Sequence, residues 1–156
     1  MHRWILRLLR LHGGGWMYRL VLQVREVMKL TTLPEAGDGK GFIVYGDPVG
    51  YTRMTRASKW TARAKKYHAY MKMIQMTARA EGLKLPLEAT EGHEIEIITK
   101  ADFTNRRHPD PGNVHKAIED ALFHGSKSGD KYVGGSYHYP SYNPEPCVFI
   151  TVRRCR

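Results

Sequence analysis

His93-Glu94-Ile95-Glu96-Ile97-Ile98-Thr99-Lys100-Ala101 changes character from one residue to the next. Ile95 and Ile97 fall on one side and Glu94, Glu96 and Ile98 on the other, the period of two of a half-buried β-strand. Upstream, Trp60, Ala64, Tyr67, Met71, Ile74 and Ala78 step by alternate fours and threes. That spacing predicts a long helix, with Ser58 as N-cap and Gly82 as the residue after its C-cap. Further upstream, Phe42-Ile43-Val44-Tyr45 has strand content and is stopped by Gly46-Asp47-Pro48. Downstream, a polar loop over Thr104–Pro109 leads to a helix over Asn113–Phe123. A strand over Val133–Tyr139, a turn over Pro140–Pro146 and a closing strand over Cys147–Val152 follow. Strand, long helix, strand, helix and two strands make an α+β fold: a single small domain with a mixed β-sheet packed by two main helices.

A chain of 156 residues is long enough for one such domain and short for two. The domain is expected over 41–156, behind a basic N-terminal extension and linker over 1–40. Within the extension, Tyr18–Met28 reads as a short helix or strand, and the Gly- and Pro-punctuated Leu33–Gly41 as the linker. Residues 1–12 set Trp4, Ile5, Leu8 and Leu11 against Arg3, Arg7 and Arg10, a basic amphipathic pattern that allows a membrane-surface contact. No apolar run reaches the ~18 residues that a spanning helix needs.

Lysine and arginine number 25 against 15 aspartates and glutamates, a formal charge of +10, so the expected partner is a polyanion, nucleic acid above all. The excess concentrates between 51 and 85, where Arg53, Arg56, Lys59, Arg63, Lys65, Lys66, Lys72, Arg79 and Lys84 meet a single acid, Glu81. A solvated helix face usually mixes signs. A one-signed face displaces the counterions condensed on a phosphate backbone. The DNA-contact role falls mainly on Arg53, Arg56, Lys59, Arg63 and Lys66, joined by Arg106 and Arg107 on the polar loop. Tyr132, Tyr137, Tyr139 and Tyr142 are candidates for unstacked bases or a dimer partner, with ordinary strand propensity as the alternative. Cys147 and Cys155 form no zinc-ligand pair and read as free thiols of a reducing cytoplasm; the histidines lack metal spacing, and nothing calls for a small-molecule cofactor.

Phosphodiester hydrolysis draws carboxylates around hard cations. Asp110 stands at the mouth of the second helix, while Asn113, Lys116 and Asp120 share one face of it and Asp130 arrives on the next connection. Asp110 before Pro111 also suits a plain helix cap, and Lys116 with Asp120 a plain i, i+4 pair, so residue spacing alone leaves both readings open. His115 is expected on the exposed side of that helix, with a phosphate contact as the alternative. Gly125-Ser126-Lys127-Ser128-Gly129 is expected as a turn presenting Asp130, since it lacks the upstream half of a phosphate loop.

The run Asp110-Pro111-Gly112-Asn113-Val114-His115-Lys116-Ala117-Ile118-Glu119-Asp120-Ala121-Leu122, followed by Gly129-Asp130-Lys131-Tyr132-Val133, resembles the RusA family of Holliday-junction resolvases. Their motif has the form Asp-x-Asp-Asn-x-x-Lys-x-x-x-Asp-x-Leu and then Asp-Asp-x-x-Val. The segment Val44–Arg56 is similar to the family's opening strand, Gly-x-Pro turn and paired arginines, and the likeness spans roughly Phe42–Val152. The resemblance implies a homodimeric endodeoxyribonuclease that cuts four-way and other branched DNA with Mg2+, or Mn2+ in its place, in a bacterial or phage-infected cell. It implies metal-binding carboxylates at Asp110 and Asp130, a base or phosphate contact at Lys116, and support from Asp120 and Asn113. Gly112 and Gly129 stand where the family has aspartates. Either another acid, Glu94, Glu96 or Asp102, makes good the loss in an active enzyme, or the chain binds branched DNA with weak or no cleavage.

Overall fold

The computed structural model describes residues 39–56, 58–128 and 131–155. Along them run β1 (Lys40–Tyr45), α1 (Ala62–Ala80), β2 (Ile95–Phe103), α2 (Pro111–Leu122), β3 (Val133–Tyr137), β4 (Ser141–Tyr142) and β5 (Cys147–Arg154). The strands form one sheet in the order β1-β5-β2-β3, with β4 pairing β2 beyond the end of β3. β5 runs antiparallel to β1 and β2, whereas β3 and β4 run parallel to β2, so the sheet is mixed as expected. Parallel neighbours cannot be joined by a tight turn, and α2 supplies the crossover from β2 to β3.

β5 is the centre of the sheet. From Cys147 to Val152 every residue is buried, the continuous apolar run of a strand flanked on both sides. Ile97 pairs with Val152 and Phe42 with Ile150, aligning their side chains on the face that meets the helices. α1 and α2 both pack there, and Ile74, Ile97, Ile118, Leu122, Val148 and Ile150 become fully buried. Cys147 lies on the other face; burial, with Asp102 nearby, pushes its thiol up to about 11, and Cys147 and exposed Cys155 are both free thiols.

α1 ends as its sequence indicates. Gly82 takes φ +80°, Gly82 N–H donates to Arg79 O at 2.9 Å and Leu83 N–H to Ala78 O at 2.9 Å, the paired bonds of a Schellman closure. Its start corrects the reading at Ser58. Thr61 is the N-cap, accepting from Ala64 N at 3.2 Å, while Ser58 is spent in a preceding turn where its hydroxyl accepts from Thr55 N at 2.9 Å. Trp60 therefore precedes the helix and is 74 % exposed, outside the stripe expected to include it. Tyr70 takes a place in the core instead, because the buried stripe widens to Ala64, Tyr67, Tyr70, Met71, Ile74 and Ala78. β3 stops at Tyr137, and the expected turn after it contains the two residues of β4.

Among the described residues no helix is long and apolar enough to cross a membrane. The expected element at Tyr18–Met28 and the amphipathic stretch 1–12 lie outside the described residues, as does nearly all of the expected extension over 1–40.

Ile118 joins α2 to the sheet with no solvent contact. Ile118→Ala should cost about 2–5 kcal/mol through lost burial and the cavity left behind. Urea unfolding reads this as a lower midpoint at unchanged slope.

Candidate active-site cleft

α2 begins at a carboxylate. Asp110 is its N-cap, Oδ1 accepting from Asn113 N at 3.2 Å, and Pro111 fills the first helical position, where a missing N–H costs nothing. The capping reading of Asp110 therefore holds, and it leaves the residue exposed with Oδ2 accepting nothing among the described residues. Opposite, the segment after β1 folds down onto the helix start: Tyr51 N–H donates to Asn113 O at 2.8 Å. Gly50 permits that approach, since a β-carbon there would lie 2.8 Å from Pro109 Cβ. The result is a hollow of about 320 Å³ with Asp110 and Asn113 on one wall and Arg63 and Lys66 of α1 on the other.

A second hollow, of about 480 Å³, adjoins the first through Tyr51 and Thr52 and is lined by Lys116, Glu119 and Asp120. Lys116 Nζ lies 3.5 Å from Glu119 Oε2 and 3.5 Å from Asp120 Oδ1. Asp120 accepts at Oδ2 from the Tyr67 hydroxyl at 2.8 Å; burial and that bond raise the Tyr67 pKa. Asp120 thus holds the lysine from one side and is itself held from α1. Asn113, Lys116 and Asp120 do share the groove side of α2, as their spacing predicts.

The expectation that His115 is exposed is overturned. It is buried, shares a 2.9 Å hydrogen bond between Nδ1 and Thr99 Oγ1 of β2, and lies 3.3 Å from Glu119 Oε1. Gly135 makes room for the ring, because a β-carbon there would come within 2.3 Å of His115 Nε2. Glu119 was not singled out in the sequence, although its i, i+4 spacing from His115 was available as a signal. Burial pushes its carboxyl upward, but the hydrogen bond and charge of His115, with Lys116, outweigh that and hold it below the ordinary carboxylate value.

The substitute acids do not reach the cleft. Glu96 and Asp102 alternate with Ile95, Ile97 and Thr99 and so occupy the sheet face turned from α2. Glu96 is bound to Arg153, Asp102 is buried and accepts from Ser141, and Glu94 caps the turn at Gly92 with a 3.0 Å bond. Asp130 and Gly129 lie outside the described residues. Among the described residues no group of three or more His, Cys, Asp or Glu side chains is arranged to hold a metal ion. In the turn at Gly125, the N–H groups of Lys127 and Ser128 point at the Glu88 carboxylate, which also accepts from the Ser126 and Ser128 hydroxyls. The anion position of that turn is taken by the chain's own acid.

Arg53, Arg56, Lys59, Arg63 and Lys66 are all exposed, with Lys59 Nζ 5.1 Å from the centre of the Trp60 ring. Arg106 and Arg107 are exposed on the connection into α2, which His108 fastens by stacking on Phe103 at 4.0 Å and bonding the Tyr142 hydroxyl at 3.2 Å.

A basic α+β domain with an acid-capped helix opening on a cationic cleft has the equipment of a nucleic-acid enzyme. The family model of endodeoxyribonuclease RusA matches residues 46–153, well over half of the chain and the whole of this cleft. The chain belongs to the RusA endodeoxyribonuclease family, whose members are Holliday-junction endonucleases. No curated relative matches it.

Because the folded Glu119 carboxyl is held low, its contribution to stability is present above the ordinary value of 4.5 and is lost as pH falls through the lowered value. Urea midpoints taken from about pH 6 down to about pH 3 should fall less steeply in Glu119→Gln than in the parent chain.

Proposed function

We propose that this chain is a metal-dependent endonuclease that cleaves Holliday junctions and other branched DNA, in recombination and repair or phage DNA processing, at the cleft where α2 begins. The observation that carries the reading is the placement of Asp110 and Lys116, at the motif positions of the family, along two adjoining hollows, the first of which Arg63 and Lys66 also line. Phosphodiester hydrolysis accumulates negative charge on the phosphoryl oxygens, and fixed cations along the groove offset it. Lys116, fixed between Glu119 and Asp120, keeps its ammonium in one place, which suits a phosphate contact.

Magnesium, with manganese as substitute, is the cofactor of this reading, with Asp110 and Asp130 its carboxylates and Asn113 a supporting group. A bound divalent ion would supply an activated water and charge neutralisation. Arg53, Arg56, Lys59, Arg106 and Arg107 extend the basic surface over the arms of a junction. Symmetric cuts in opposed strands call for two clefts related by a two-fold axis, hence a homodimer. Glycine at 112 and 129, where the family motif has aspartates, favours one second reading, a branched-DNA-binding protein with weak or no cleavage.

A synthetic four-way junction incubated with Mg2+ or Mn2+ separates them. Metal-dependent nicking is expected, falling by about 100-fold or more in Asp110→Asn, Asp130→Asn and Lys116→Ala. A tight gel shift without nicking selects the binding protein, and nicking that survives in all three variants rejects this cleft. Arg63→Ala and Lys66→Ala should each lower the salt slope of junction binding by about 1.

A further inference from the structure

Gly112, the position that lacks the family's middle acid, is not open space. A β-carbon built on it would lie 3.0 Å from Asp110 Oδ1 and 3.3 Å from both Cζ and the hydroxyl oxygen of Tyr137. The tyrosine comes from β3, the outer strand of the sheet, where it pairs with Thr99. Thr99 faces α2 and bonds His115, and paired residues of parallel strands point the same way, so Tyr137 also projects toward α2. Its ring lies 6.0 Å from that of His115, which supports it from beneath. It stays 55 % exposed, and among the described residues its hydroxyl makes no hydrogen bond.

We propose that Tyr137 is a catalytic-site residue which stands in the place vacated at 112, its hydroxyl donating to a non-bridging oxygen of the phosphate bound beside Asp110. A carboxylate only accepts hydrogen bonds, whereas a phenol hydroxyl donates as well, so the exchange trades a cation ligand for a phosphate donor. Glycine at 112 and tyrosine at 137 are then one unit. An acid restored at 112 presses on the phenol, which must give by a few tenths of an ångström unless position 137 is cut back. This inference rests on the nuclease reading of the cleft for the role of the hydroxyl, but the steric coupling of 112 to 137 does not.

The test uses the full chain as parent, Tyr137→Phe, Gly112→Asp, Tyr137→Ser and the double variant Gly112→Asp with Tyr137→Ser. Tyr137→Phe keeps the ring and its packing, so a change reports the hydroxyl. Single-turnover cleavage of a four-way junction in saturating Mn2+ should slow by about tenfold, with junction affinity in Ca2+ unchanged within about twofold. If the rate holds while Asp110→Asn abolishes cleavage, the donor role is wrong and the nuclease reading stands. Mn2+ affinity, read from the free-ion electron paramagnetic resonance signal, tests the coupling without cleavage. Gly112→Asp should tighten Mn2+ binding by less than about threefold and the double variant by about tenfold or more, with Tyr137→Ser alone without effect. Equal tightening in the single and double variants overturns the coupling. Should the parent leave the junction uncut, the nuclease reading and the donor role both fall, and the Mn2+ titration still decides whether 112 and 137 act together.

Discussion

Everything in the cleft hangs from the seat of α2 on β2, and one polar contact fixes that seat: His115 Nδ1 against Thr99 Oγ1, inside an otherwise apolar interface. Apolar packing is non-directional and would tolerate a helix turned or slid by a fraction of a residue. A buried imidazole whose Nδ1 has its one partner on β2 does not, since a displaced ring leaves that polar atom unpaired away from water. Asp110, Lys116, Glu119 and Asp120 ride on the same rigid helix, so the register of one histidine sets where all four stand. Gly135 belongs to this constraint, because any larger residue there would enter the space the ring requires.

The architecture could be read from residue order because its signals are local. The alternation around Ile95–Ile97, the fours and threes of α1 and the glycine at 82 each report on a few neighbouring residues, and each has its counterpart in the structure. Errors arose where two local signals competed. Ser58 and Thr61 are both good caps, and only the turn that consumes the Ser58 hydroxyl decides between them, which left Trp60 outside the helix. The site divides similarly. Asp110, Asn113, Lys116 and Asp120 follow from helical spacing, but Tyr67, Thr99 and Tyr137 join them across long sequence separations, and no periodicity encodes such contacts. The burial of His115 is not legible from its neighbour Lys116, since on a helix adjacent residues point about 100° apart.

The charge pattern also gains meaning in three dimensions. A wholly cationic groove would bind DNA tightly and indiscriminately, while this one sets arginine and lysine of α1 across from the carboxylates of α2. Lys116 sits among those carboxylates, so the α2 side also carries a cation, held between Glu119 and Asp120. The same logic explains why the acids of β2 do not compensate for Gly112: a strand offers only every second residue to a given face, and Glu96 and Asp102 have the wrong parity.

The place of β5 bears on how the chain comes to be folded at all. The last described strand is the one between β1 and β2, so both of its neighbours must wait, with unpaired edges, until residues 147–154 arrive. During synthesis from the N-terminus, the helices and β2 emerge with the central slot of the sheet vacant, and pairing of 40–45 with 147–152 closes a loop of about a hundred residues. Long-range closure of this kind is slow, and open strand edges attract other chains meanwhile. Shortening the chain by one strand would therefore remove the middle of the molecule, not its end.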